Sequence, residues 1–426
     1  MFRRFPLALD FVLRSHGGAR RLRHIAAVAG FAAAFVALNQ SSVRAESSAI
    51  ATVHLTPGWA TFGEAVPRGV AFDALQVGSF QTQTDVKTRW DDHSIRFAIV
   101  TVNATADGDY AVVAAATAAG VPLTPSLPAA SVSLTIGGVA HTATLPGTWS
   151  DDRWLSGPLA YEARSIVAPV SAADGAAHPF LRVIFDTRKY LDGNGRVDVT
   201  VENVLDDWDA TTVTYDAAIS VNGAAVYSHP AVEHYYLTRW RKTFAFGTAP
   251  WGTVRPDTTP FNAARALPPY LSVVTNRVDG ITMPQFDILH EGALTPDMSS
   301  HSGRAELAPF PDWTARYLVH KDPAQLQFVL ANGDLSGSWP IHVRESDAST
   351  FGGVGAGHLV SLNQRPLLWY DFRGEGEFMQ DGVVLPPGSR DDAGELFKPG
   401  TLADVTPLDF VKGFPMPMRE YSESVP

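Results

Sequence analysis

The sequence predicts a mainly β, multidomain protein: a β-barrel, then a β-sandwich, then a loop-rich region with a few helices. Three observations carry this reading. The 426 residues exceed one ordinary domain. Glycine and proline number 35 and 30, which favours many turns over a helical bundle. Short runs alternate apolar and polar residues through the first 250 or so positions, the period of antiparallel strands.

Residues 1–45 read as a secretory signal. Arg20, Arg21 and Arg23 precede an apolar run from Ile25 to Leu38, and Val43-Arg44-Ala45 supplies small residues for a signal peptidase. That apolar run is too short to span a bilayer, so the expected location is secreted or periplasmic, with no membrane span after signal removal. This segment holds seven Arg and one Asp, a net of +6, so its removal takes the formal charge from −11 to −17. A surface so acidic repels nucleic acid and anionic lipid in bulk, and an anionic partner needs a local basic patch. The chain has no cysteine, which removes thiol nucleophiles, cysteine metal sites and disulfides.

Residues 46–125 read as a barrel. "ATVHLTPG", "GVAFDALQV", "FQTQTDVKTRW", "SIRFAIVTVNA" and "YAVVAAAT" are alternating strands broken by turns. "AAGVPLTPSLPAA" (118–130) is a connector. Residues 126–250 read as a sandwich built from hairpins, with turns at Gly137-Gly138, Asn194-Gly195 and Asn222-Gly223. Residues 251–426 are loop-rich and partly helical. There "PDWTARYLVHKDPAQLQFVLANGDLSG" has helical spacing, with Trp313, Tyr317 and Leu318 on one stripe and Leu326, Val329 and Leu330 on another. Asp312 and Asp322 are the expected N-caps.

Several motifs are structural. Asp91, Asp92 and His93 supply a hairpin turn. "DGNGRVD" from Asp192 imitates a calcium loop, but Arg196 stands where an oxygen ligand is required. "GGVGAGH" (352–358) lacks the lysine and the strand–helix context of a phosphate loop. There is no H-E-x-x-H and no G-x-S-x-G. Of the thirteen histidines only His229 and His234 lie close in sequence, without a second ligand pair, and no metal or other cofactor is expected.

Two clusters stand out. "HYYLTRWRKTF" (234–244) gathers cations and proton-handling groups. Read as one strand, it places His234, Tyr236, Thr238, Trp240, Lys242 and Phe244 on one face and Arg239 and Arg241 on the other. A histidine, a tyrosine and a lysine in register suit acid–base chemistry, and an aromatic–cation edge strand is the plainer alternative. "HSGRAELAPFPDW" (301–313) places His301 and Arg304 in a loop before a helix, with Glu306 and Asp312 as an alternative carboxylate pair.

"TFGEAVPRGVA" (61–71) with "QTDVKTRWDDHSIRFAIV" (83–100), "DTRKYLDGNGRVDVTVEN" (186–203), "TRWRKTF" and "HSGRAELAPFPDWTARYLV" together resemble the exo-rhamnogalacturonan-lyase-like family over roughly residues 50–345. The family's turn runs closer to Trp-Pro-Asp-Gly-Ser-Val-Arg; here it reads Trp90-Asp91-Asp92-His93-Ser94-Ile95-Arg96. The resemblance implies a RIFT barrel, a central sandwich and a C-terminal α/α toroid, shortened in this chain. It also implies β-elimination on a uronate-containing, pectin-like polysaccharide.

On that reading His234 or Tyr236 is the base, Lys242 or Arg304 neutralises the uronate carboxylate, and His301 is an auxiliary acid. Arg239, Trp240, Arg241 and Glu306 contact substrate. The alternatives are a non-catalytic glycan-binding or surface structural protein presenting Trp240, Trp339 and Trp369, a degenerate lyase, and a glycoside hydrolase using Glu306.

Overall fold

The computed structural model describes residues 49–116, 120–206, 210–248, 251–268, 270, 286–294, 310–340, 342, 344–345 and 357. The signal segment, His301, Arg304, Glu306, Trp369 and most of the expected toroid lie outside the described residues. The described residues fall within one compact unit, Ser47–Pro426. They are mainly β, with several antiparallel sheets and few helices.

The first β-unit comprises β1 (Ala51–Leu55), β2 (Gly58–Ala65), β3 (Ala74–Val77), β4 (Thr82–Arg89), β5 (Ile95–Ala104) and β6 (Gly108–Ala115). One sheet has the order β2-β5-β4. Strands β1, β6 and β3 form another, both burying alternate residues such as Val53, Leu55, Ile95, Val100, Val102 and Val112 in one core. The 90–94 turn is structural, as expected: the Asp92 carboxylate accepts from the Ser94 N–H at 3.0 Å and from its hydroxyl at 2.6 Å.

The second unit runs through β7 (Ala130–Ile136), β8 (Val139–Thr144), β9 (Arg153–Ser156), β10 (Ala160–Val167), β11 (Val170–Ser171), β12 (Arg182–Tyr190) and β13 (Gly195–Asn203). It continues with β14 (Leu205–Asp206), β15 (Val213–Val221), β16 (Ala224–His234) and β17 (Thr238–Phe246). Sheet order is β11-β8-β7-β15-β16 on one side and β17-β13-β12-β10-β9 on the other, around a shared core. This is a sandwich. The Asn222-Gly223 turn is a two-residue loop closing Val221↔Ala224, with φ of 50° and 80°, the left-handed pair such a loop demands. The β12–β13 turn differs from the expectation of a two-residue Asn194-Gly195 loop. It spans residues 191–194, because Lys189 already pairs with Gly195 and the Asp192 carboxylate accepts the Asn194 N–H at 3.1 Å.

Several contacts join the units, two of them through Gln83 and Trp59. Gln83 of β4 donates to the Ala160 carbonyl at 3.0 Å and accepts from the Leu159 and Ala160 N–H groups, each at 2.8 Å. Trp59 of β2 stacks on Tyr190 at 4.6 Å and donates to Asp192 at 2.7 Å.

Beyond the sandwich lie β18 (Val254–Arg255), α1 (Thr259–Ala263), α2 (Asp312–His320), α3 (Pro323–Leu335), a 3-10 turn (Ser336–Ser338) and β19 (Arg344–Glu345). Strand β18 returns to β1, so the first β-unit draws a strand from well past residue 125. Asp322 caps α3 as expected, accepting from Ala324 N–H at 2.9 Å. Pro311, not Asp312, occupies the cap of α2, and Asp312 instead pairs with Arg316 one turn on at 2.7 Å. The α3 stripe is also displaced: Gln325, Phe328, Asn332 and Leu335 are buried, while Leu330 is exposed.

Candidate functional site: an arginine-lined cleft

The 234–244 stretch is two strands rather than one. Strand β16 ends at His234, residues 235–237 turn with Leu237 at φ 65°, and β17 begins at Thr238 in the opposite sheet. The expected single face carrying His234, Tyr236, Trp240 and Lys242 therefore does not form.

His234 has 0% exposure, Trp240 1% and Tyr236 3%. The Trp240 indole N–H donates to the Tyr215 hydroxyl at 2.7 Å. That hydroxyl in turn donates to His234 Nδ1 at 2.7 Å, and His234 Nε2–H meets the Thr238 carbonyl at 3.0 Å. The chain of bonds assigns the Nε2–H tautomer and ties one sheet to the other. Burial holds the imidazole pKa at about 4, so at neutral pH it is an uncharged inter-sheet strut with both nitrogens engaged. This corrects the expectation of His234 as a base, and of Trp240 as a surface for sugar; Tyr236 is likewise buried.

Because the folded pKa lies below the ordinary 6.5, the stability from neutral His234 is complete above that pH and is lost as pH falls through about 4. Replacing His234 by Ala should cost about 3–5 kcal/mol at pH 7.5, from a cavity plus two stranded polar partners. Urea unfolding measures it; a loss under about 1 kcal/mol would mean that the strut carries little.

Lys242 shares the inward side of β17 with Trp240 but sits at the sandwich edge. Its ammonium is 3.3 Å from Asp287 and 5.3 Å from the centre of the Tyr227 ring. His229 Nε2 lies 3.5 Å from the same carboxylate. The lysine thus meets a tyrosine and a histidine, though both come from β16 upstream of the predicted pair.

The other side of β17 is the outer face of its sheet, and there Arg239 and Arg241 lie together. Register dictates their neighbours. Arg239 stands opposite Glu202 and Arg241 opposite Thr200, Glu202 opposite Arg182 and Asp198 opposite Asp186, and Asp186 opposite Arg164. Helix α3 and the 3-10 turn lie over this face and add Asp334, while Arg344 arrives beside β14.

Ion pairs lace the whole surface. Arg164 grips Asp186 through two bonds of 2.8 and 3.0 Å. Arg241 donates to Asp198 at 2.5 Å and also to Asp334; Arg196 lies 3.3 Å from Asp198. The buried Glu202 carboxylate holds Arg182 at 2.8 Å, Arg344 at 3.2 Å and Arg239 at 3.7 Å. Six guanidinium groups thus face four carboxylates.

Between them lies a cleft of about 290 Å³, lined by Arg164, Asp186, Thr200, Arg239, Arg241 and Asp334. The Arg239 and Arg241 side chains are each 36% exposed, so solutes can reach them. Arg239 has the longest ion pair of the six and is the least engaged cation. Chemically this is a polar, positively biased recess suited to a carboxylate, which arginine binds in two-point fashion.

Sequence reasoning selected Arg239 and Arg241 but missed Arg164, Asp186, Thr200 and Asp334. A signal was available: "RVIFDTR" (182–188) and "RVDVTVE" (196–202) place charged residues on alternate positions of strands whose other face is apolar. That pattern marks a sheet with one core-facing side and one charged side. Among the described residues no group of three or more His, Cys, Asp or Glu could hold a metal ion, and no helix is long and apolar enough to cross a membrane.

No protein-family model and no curated protein matches this chain.

Proposed function

We propose that this is a secreted, carbohydrate-active protein that holds the carboxylate of an acidic saccharide between Arg239 and Arg241. The observation that carries the reading is charge. A chain of formal charge −11 gathers six guanidinium groups against four carboxylates on one sheet face, and Arg164, Arg239 and Arg241 line its cleft with Asp186 and Asp334. An anionic ligand entering there exchanges hydration for charge-assisted hydrogen bonds in a partly desolvated recess. Thr200 offers a hydroxyl for a sugar oxygen beside them. The uronate-containing glycans implied by the family resemblance carry a carboxylate on each uronate ring, which matches a cleft lined by accessible arginines.

The test is retention of the purified protein on a polygalacturonate column, with a neutral galactan column as control. Arg241→Gln should weaken polyuronide binding by about 100-fold, the value of two charge-assisted bonds. Wild-type protein that ignores the polyuronide, or that binds both columns alike, would defeat the reading.

A polysaccharide lyase is the second reading, and Tyr227, His229, Lys242 and Asp287 favour it as an acid–base group at the sandwich edge. β17 places that group and the arginine cleft on opposite faces of one sheet, so a single sugar cannot use both. The same incubation distinguishes the readings: elimination produces an unsaturated uronide and a rise in ultraviolet absorbance, and simple binding produces none.

A further inference from the structure

We propose that Asp334 is an internal stand-in for the ligand's carboxylate, and that an acidic saccharide enters the cleft by displacing it from Arg241 and leaving it protonated. The inference rests on the cleft being the binding site.

Three features of the geometry point to it. Asp334 occupies the penultimate position of α3 (Pro323–Leu335), where the helix presents its negative end and a carboxylate is disfavoured. It shares one guanidinium with a second carboxylate, since Arg241 bonds both Asp334 and Asp198. It also lies at the mouth of the recess, 37% exposed, whereas Asp198 beneath it is 4% exposed. Asp198 is thus the permanent partner and Asp334 the accessible one, in the place a ligand carboxylate would occupy.

The surrounding charges set the direction of the exchange. From β17, Arg241 and more distantly Lys242 favour the ionised form, while Asp198 of β13 disfavours it. The walls add the Arg164–Asp186 pair from β10 and β12 and Arg239 from β17. The described part of α3 contributes no other charged residue, and His342 follows beyond the 3-10 turn, bonded to the Ser336 carbonyl at 3.0 Å. Burial is the largest influence, and together with Asp198 it holds the Asp334 carboxyl above the usual range despite Arg241. Once a ligand takes Arg241, burial and Asp198 favour a proton, which the solvent supplies, against only the distant Lys242.

The segment carrying Asp334 also fits closely over the site. A side chain at Gly337 would place its Cβ 2.5 Å from the Arg239 carbonyl oxygen, so the turn after α3 rests directly on β17. Asp334 is therefore held over the cleft by backbone contact, leaving its own carboxylate as the part that yields.

Binding should then take up a proton wherever free Asp334 is ionised. Affinity should be greatest between the ligand's carboxyl pKa and that of Asp334, and should fall at higher pH. Titration calorimetry of the purified protein with trigalacturonate, in two buffers of different ionisation enthalpy at pH 7.5, counts those protons. Wild type should take up protons as the ligand binds. Asp334→Asn should take up none and bind about tenfold tighter, because it no longer competes as an anion.

Asp334→Ala supplies an independent check and should likewise abolish the uptake. Trigalacturonate binding with no proton uptake, and no tighter in Asp334→Asn, would overturn the stand-in role while leaving the cleft as the site. Absence of binding by wild type and both variants would remove the cleft reading and the stand-in together.

Discussion

Replacing Glu202 by glutamine is expected to cost the fold about 3–5 kcal/mol, the largest single loss on the sandwich's outer face. The carboxylate is fully buried and holds Arg182 at 2.8 Å, Arg344 at 3.2 Å and Arg239 at 3.7 Å. Removing its charge leaves three guanidinium groups facing one another across β12, β13 and β17 without their shared counter-ion. Arg182 suffers most: its side chain is 10% exposed, and among the described residues its Nη2 has no hydrogen-bond partner. Burial pulls its pKa down and Glu202 opposes that pull.

Urea unfolding of Glu202→Gln measures the loss. A second variant apportions it: adding Arg182→Leu should recover a substantial part, since it removes the most deeply buried of the orphaned charges. A Glu202→Gln protein within about 1 kcal/mol of wild type would show that water or rearranged side chains replace the carboxylate, and the network would not be a stability element.

Replacing Glu64 by glutamine is expected to do the opposite, stabilising the protein at alkaline pH and leaving it almost unchanged in mild acid. Glu64 projects from β2 into the first β-unit's core with 1% exposure, and among the described residues its Oε1 has no hydrogen-bond partner. Burial, then the negative charge of Asp257, raise its pKa to about 8 from the ordinary 4.5. The folded state therefore holds this proton where the unfolded chain releases it. The stability linked to it is complete below pH 4.5 and is lost as pH rises through about 8.

The loss accumulated across that interval is on the order of 4 kcal/mol, and glutamine, which carries no charge at any of these pH values, escapes it. Thermal melting at pH 4.5 and pH 8.5 provides the test. Wild type should fall progressively behind Glu64→Gln between them. Parallel melting curves would mean that Glu64 ionises freely inside the fold.

Much of the architecture was legible because it depends on local chemistry. Alternation in "SVSLTI" and "RVDVTVEN", and the left-handed turns at Gly137-Gly138 and Asn222-Gly223, announce strands and hairpins from neighbouring residues alone. The passage from one sheet to the other at Tyr235–Leu237 was not legible. It turns on Leu237 at φ 65°, and leucine bears no turn signature. A single strand was the natural reading, and it placed His234 beside Lys242.

The cleft was legible in half. Arg239 and Arg241 identify themselves as cations on alternate positions. Their exposure and partners depend on Asp198, Glu202 and Asp334, which reach them by strand register and by the packing of α3, both set by distant parts of the chain. Trp240 shows the same limit. Its aromatic–cation neighbourhood suggested an exposed face, but pairing with Val201 turns it into the core.

Strand β17 has nine residues and serves two purposes on alternating positions. Thr238, Trp240 and Phe244 belong to the interior, whereas Arg239 and Arg241 belong to the charged outer face. Hereditary variation can therefore act on the two sets separately. Changes at 239 and 241 alter the charged face while the interior stays intact, and compensating changes at 238, 240 and 244 repack the interior without altering that face. One short segment thus lets the charge of a surface drift along an independent track from the framework that displays it.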